Sequence, residues 1–145
     1  MAREALIRLI DKLKLANDGI LAQEHDYAEQ LRAIVMQLCQ AFARARPPFY
    51  QDLATTPALT EIVEAARARC FAQVEEVIRS GMATGRFRAG LDPRMVRRAL
   101  LGAVEATIQP PILAEERLSL TQAFDAILDV VLHGMFADQT PREGC

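Results

Sequence analysis

Tryptophan is absent from the 145 residues, aromatic residues make up only 6%, and there are just two histidines and three cysteines. An odd cysteine count without paired spacing argues against a disulfide framework or a zinc site. Cys39 and Cys70 fall on apolar helix faces, and Cys145 ends a Thr-Pro-Arg-Glu-Gly tail. No segment approaches ~20 consecutive apolar residues. Nor does the N-terminus combine a positive start, an unbroken apolar core and a small-residue cleavage site. The expectation is a cytoplasmic protein with no membrane partner. An excess of positive charge is also lacking: 17 Lys and Arg against 19 Asp and Glu give a net charge of −2, which offers nucleic acid no basic field. The arginines that do cluster, Arg94, Arg97 and Arg98 among them, read as solvated surface. Nothing resembles a nucleophile–base pair, a phosphate-cradling glycine loop or paired acid/base carboxylates. The chain is read as no enzyme, with no catalytic residue, metal or cofactor.

What is present is helical periodicity. With 51% hydrophobic and 25% charged residues, the composition suits one globular domain with a single core. A first helix, about Ala2 to Gln23, carries Leu6, Leu9, Ile10, Leu13, Ala16 and Ile20 at helical spacing. Asp26 and Glu29 have capping-box spacing and open a second helix with Leu31, Ile34, Val35, Leu38, Cys39 and Phe42 on its buried stripe. Pro47-Pro48 stop it, and Phe49, Tyr50 and Leu53 read as a short helical turn. Thr56-Pro57 start a third helix running to about Thr84, with Glu75 and Arg79 at a favourable spacing on its water side. Helices over Pro93–Gln109, ended by Pro110-Pro111, and over Ser119–Ala137 come next, the second opened by a Ser119/Gln122 capping box. No strand-period segment occurs. The fold class is all-α, an antiparallel helical bundle of about five long helices plus one short helix. Residues 1–138 read as one domain and 139–145 as a flexible C-terminal tail.

The last two long helices are apolar on more than one side, which a helix on a monomer's surface does not tolerate. The fourth presents Val96, Leu100 and Ala103 on one side and Leu101, Val104 and Ile108 on another. The fifth carries Phe124, Ile127, Val131 and Met135 in one stripe, with Leu128, Leu132 and Phe136 in a second. Gly102, Ala103, Ala126 and Gly134 would let helix axes approach closely, so two such pairs could build a four-helix interface across a two-fold axis. The alternative is a fully buried core hairpin within a monomer. On the first reading the interface residues are Val96, Leu100, Ala103, Phe124, Ile127, Val131, Gly134 and Met135.

The stretch from Gly81 to Ala106 is the most informative. Gly85 sits where a left-handed C-cap closes the third helix, Asp92-Pro93 read as N-cap and first helical residue, and Phe87 is the large apolar residue available to pin the connection. Gly85-Arg86-Phe87-Arg88 followed by Leu91-Asp92-Pro93 and a helix with a small-residue centre resembles the effector half of tetracycline-repressor-type (TetR family) regulators. The opening Arg3-Glu4-Ala5-Leu6 is similar to the segment that follows the family's recognition helix, and Val131-Leu132-His133-Gly134-Met135 to its closing pattern. The resemblance covers about the whole chain. It implies a ligand-binding and dimerisation domain that pairs through its last two long helices. It also implies a small organic effector, and contact with DNA only through a helix-turn-helix unit absent from this chain.

Glu105 is the lone charge between Arg98 and Glu115, in mid-helix among apolar residues. A carboxylate there needs a partner, a hydrogen bond or a proton. It reads either as the polar anchor of a greasy ligand cavity or as a helix–helix or inter-subunit contact to an arginine such as Arg97. On the first reading the ligand-binding residues are Phe49, Tyr50, Cys70, Phe71, Leu101 and Glu105. Asp125, Asp129 and His133 share one helix face but do not close a coordination sphere, so they read as a solvated or interface stripe. Two rivals remain: a helical protein–protein adaptor and a helical carrier of a lipophilic compound.

Overall fold

The structure, a computed structural model, describes residues 2–23, 26–44 and 57–137. These form six helices: α1 (Ala2–Gln23), α2 (Tyr27–Arg44), α3 (Pro57–Ala83), α4 (Pro93–Thr107), α5 (Pro110–Glu116) and α6 (Leu120–Met135). Phe49, Tyr50, Leu53, the side chain of Phe42 and the tail 139–145 lie outside the described residues. The chain divides into two units, Met1–Val74 and Glu75–Cys145, with the boundary inside α3.

In the first unit α1 packs on α2. Ala28, Leu31, Ile34, Val35, Leu38 and Cys39 recur three and four residues apart, so they share one face of α2, and all are buried. Asp26 starts that helix, its Oδ1 accepting from the Ala28 N–H at 3.0 Å. That contact satisfies one of the amide donors every helix start leaves without a partner.

In the second unit α4 packs on α6. Its buried residues include Phe87, Leu100, Leu101, Val104, Phe124, Leu128, Leu132 and Met135. The connection from α3 to α4 is set by three residues. Gly85, at φ +82°, turns the chain through the left-handed region where a Cβ is costly. Phe87 turns its ring inward, donates its N–H to the Gly81 carbonyl at 3.0 Å and pairs antiparallel with Phe136. Asp92 then caps α4, its Oδ1 accepting from the Arg94 N–H at 3.0 Å. That backbone hydrogen bond holds its carboxyl below the ordinary value. The resulting stabilisation is complete above the unfolded carboxyl's value and is lost as pH falls through the lower folded one.

The last helix, expected over Ser119–Ala137, runs Leu120–Met135, and two further boundaries differ from the sequence expectation. The fourth long helix, expected to reach Gln109, ends at Thr107, and Pro110-Pro111 open α5 rather than merely stopping its predecessor. Proline's fixed φ and missing N–H suit the first turn, where that donor has no intrahelical partner. The Ser119/Gln122 capping box forms in full: Gln122 N–H to Ser119 Oγ at 3.1 Å, Ser119 N–H to Gln122 Oε1 at 2.9 Å. Ser119→Ala is expected to cost about 0.5–2 kcal/mol, read as a lowered thermal midpoint.

Candidate functional site

In the first unit α1 and α3 line a small cleft that opens to solvent, with room for about one water-sized molecule. Ile10, Leu13, Ala66 and Cys70 form its apolar walls. Asn17 and Gln73 are its polar members, joined by a hydrogen bond from Asn17 Nδ2 to Gln73 Oε1 at 3.2 Å. Helical spacing places them there: Ile10, Leu13 and Asn17 succeed one another at intervals of three and four on α1, as Ala66, Cys70 and Gln73 do at four and three on α3. Asn17 is 1% exposed, and its Oδ1 has no hydrogen-bond partner among the described residues. A buried carbonyl oxygen without a donor carries a desolvation penalty of about 1–3 kcal/mol. Lys14 and Arg69, both exposed, stand at the cleft's edge.

Cys70 is a free, buried thiol, and burial raises its pKa although the neighbouring Arg69 charge pulls the other way. Cys39, also free, is pushed up to about 11 by burial. Neither thiol is activated as a nucleophile at neutral pH. Among the described residues no group of three or more His, Cys, Asp or Glu could hold a metal ion.

Of the six residues expected to bind ligand, Cys70 lines this cleft. Phe71, its neighbour on α3, is half-buried, with the Arg67 guanidinium 4.6 Å from its ring centroid. Leu101 and Glu105 belong to the second unit. There Leu101 is buried, while Glu105 is half-buried and its backbone carbonyl accepts from Gln109 Nε2 at 2.8 Å. Arg97, weighed as a partner for Glu105, meets Glu75 at 3.6 Å. Glu75 also takes Arg79 at 3.3 Å, so this glutamate is a half-buried bridge between α3 and α4 rather than a water-facing residue.

The second unit carries a different surface. Leu100, Phe124 and Met135, expected at a subunit interface, are buried within their own chain. Val96, Ala103, Ile127 and Val131 are half-buried, and Gly134 is exposed. On α4, opposite Leu100, Leu101 and Val104, an exposed stripe of Met95, Ala99, Gly102 and Ala106 runs at intervals of four, three and four. Ala126, Val130 and Gly134 form the equivalent stripe on α6, bordered by Ile127 and Val131. Met95 is 60% exposed and Val130 74%, so the apolar groups here are uncovered. A Cβ added at Gly102 or Gly134 would meet nothing within 4 Å. Asp125, Asp129 and His133 occupy a separate exposed face of α6, where His133 Nδ1 lies 3.1 Å from Asp129 Oδ1.

Asn17 and Gln73 were missed in the sequence, as were Met95, Ala99, Ala106 and Val130. The signal for the first two was present: each is a lone amide at a position that the apolar periodicity of its helix assigns to the inside.

The family model described as "Tetracyclin repressor-like, C-terminal domain" matches residues 24–109. No curated protein matches the sequence. Among solved structures, the chain is similar to the ketosteroid transcriptional regulator KstR2 of Mycobacterium tuberculosis. The TM-score is 0.67 and the identity 24%, over 95% of this chain and 72% of that one. It is also similar to the fatty acid degradation regulator FadR from Bacillus halodurans, with TM-score 0.63 and 16% identity over 92% of this chain and 72% of that one. At these identities the likeness is one of fold.

Proposed function

We infer that this chain, which belongs to the tetracyclin repressor-like C-terminal domain family, serves as the ligand-sensing and dimerisation domain of a transcriptional regulator. Members of the family typically dimerise and bind small-molecule effectors. The observation that carries sensing is the cleft between α1 and α3, apolar in its walls, with a buried amide whose carbonyl oxygen lacks a donor. Apolar enclosure with a few placed polar groups is the usual composition of a small-molecule site.

Dimerisation is supported by the exposed stripes of α4 and α6, where small residues allow a second copy's helices to approach closely. The partner is a second copy of this chain, in an isologous contact. Reading DNA is assigned to a helix-turn-helix unit, which the described residues do not include. No helix among the described residues is long and apolar enough to cross a membrane.

Screening small organic molecules by thermal shift tests the sensing role. An effector held at ~100 times its Kd should add about 2.7 kcal/mol, a rise of several degrees in Tm. Ala66→Phe, which fills the cleft from its half-buried wall, should abolish that rise. Stabilising compounds that act equally on Ala66→Phe would place sensing elsewhere.

A further inference from the structure

We propose that the charged edges of the exposed α4 and α6 stripes make association selective for a second copy of this chain, with Arg94 and Arg98 of one protomer meeting the partner's Asp125 and the partner's Asp129. This rests on the dimerisation reading and adds to it which helix faces which and what chooses the partner. Three observations lead to it.

The first is position. On α4, half-buried Val96 and Ala103 border one side of the Met95, Ala99, Gly102 and Ala106 stripe, and exposed Arg94 and Arg98, one turn apart, border the other. On α6, half-buried Ile127 and Val131 border one side of the Ala126, Val130 and Gly134 stripe, and exposed Asp125 and Asp129 border the other. The half-buried apolar sides lead into the packing of α4 on α6, so the charged edges lie on the outer flanks. The second is sign. The α4 edge opens with two arginines and the α6 edge with two aspartates, while Glu105, further along the α4 edge, is half-buried and Arg97 is committed to Glu75. The third is availability. The Arg94 side chain is 70% exposed and meets its own cap residue Asp92 at 3.5 Å, and that of Asp129 is 71% exposed and meets exposed His133 at 3.1 Å. Arg98 makes no ion pair among the described residues.

A surface with a basic flank on one side and an acidic flank on the other is complementary to itself. Under a two-fold axis running along the helices, α4 lies over the partner's α6 and a basic flank meets an acidic one twice per dimer. Pairs at such a solvent-exposed rim choose the partner and its direction more than they add affinity. A chain that offered the same small residues with another edge pattern would bring like charges together.

Sedimentation equilibrium at low ionic strength on two charge-reversed variants, Arg94→Glu/Arg98→Glu and Asp125→Arg/Asp129→Arg, tests the assignment. All four positions are exposed, so both variants should keep the helicity and thermal midpoint of the wild-type chain. Each alone should associate about tenfold or more weakly than the wild type, because every rim contact of its homodimer then sets like charges together. An equimolar mixture of the two should recover association to within about threefold of wild type, since one flank pairs the introduced carboxylates with the introduced guanidiniums and the other keeps the native pairs. The quadruple variant should recover likewise, and added salt should shrink all these differences. Two variants that each associate as the wild type does would take the charges out of the interface and overturn the proposal while leaving the dimer. Weakened variants whose mixture stays weak would show that the flanks do not face one another, which also overturns it. A monomeric wild type would overturn both this proposal and the dimerisation reading.

Discussion

Replacing Phe87 by alanine is expected to destabilise the chain by about 3–5 kcal/mol, the range for deleting a buried phenylalanine side chain. The ring is fully enclosed, stacks on Phe136 with centroids 6.4 Å apart, and lies against the open face of Gly81. The backbone depends on the same place: Phe87 N–H bonds the Gly81 carbonyl at 3.0 Å, and Arg88 N–H bonds the Met135 carbonyl at 2.7 Å. The α3–α4 connection is therefore held to the end of α6 by one side chain and its flanking amides. A loss of that size is a large fraction of the roughly 5–15 kcal/mol that keeps a domain folded, and urea denaturation would read it as a lowered midpoint. Gly81→Ala is expected to be harmful for the complementary reason, since the added methyl would overlap the Phe87 ring. The two substitutions together should cost clearly less than their sum, because removing the ring frees the space the methyl needs.

The second large effect falls on association. Gly102→Leu and Gly134→Leu each place a bulky group on an exposed stripe where nothing in the same chain lies within 4 Å of the new Cβ. The protomer should gain stability, since glycine inside a helix is about 0.8–1.0 kcal/mol worse than alanine and leucine ranks close to alanine. The dimer should lose it, because the partner's helix can no longer approach. Sedimentation equilibrium on the double variant is expected to show at least a hundredfold weaker association. A rise in monomer stability with a fall in association separates an interface role from general damage. Unchanged association would remove these stripes from the interface.

Helix punctuation was plain in the sequence because it depends on local chemistry. Gly85 at positive φ, Asp92-Pro93 at the start of α4 and the Ser119/Gln122 box each act through atoms a few residues apart. Phe87 was legible as well, being the large apolar residue of a polar connection. Pro110-Pro111 misled because a proline pair can end one helix or begin the next, and the choice depends on whether the residues downstream of it continue as a helix. The harder question was which side of an all-round apolar helix faces its own core. Leu100, Phe124 and Met135 look outward as plausibly as Met95 and Val130 until the packing of α4 on α6 decides it. Asn17 escaped for a related reason. A polar residue on an apolar stripe is read as an interruption, whereas its burial and its bond to Gln73 come from a helix more than fifty residues away.

Light scattering on the wild-type chain at micromolar concentration tests the central claim most directly. If α4 and α6 present a dimerisation surface, the protein should run at twice the 16.1 kDa of the single chain, through an obligate-type interface of ~2,000 Å² or more. A folded, stable species at 16.1 kDa would contradict that claim.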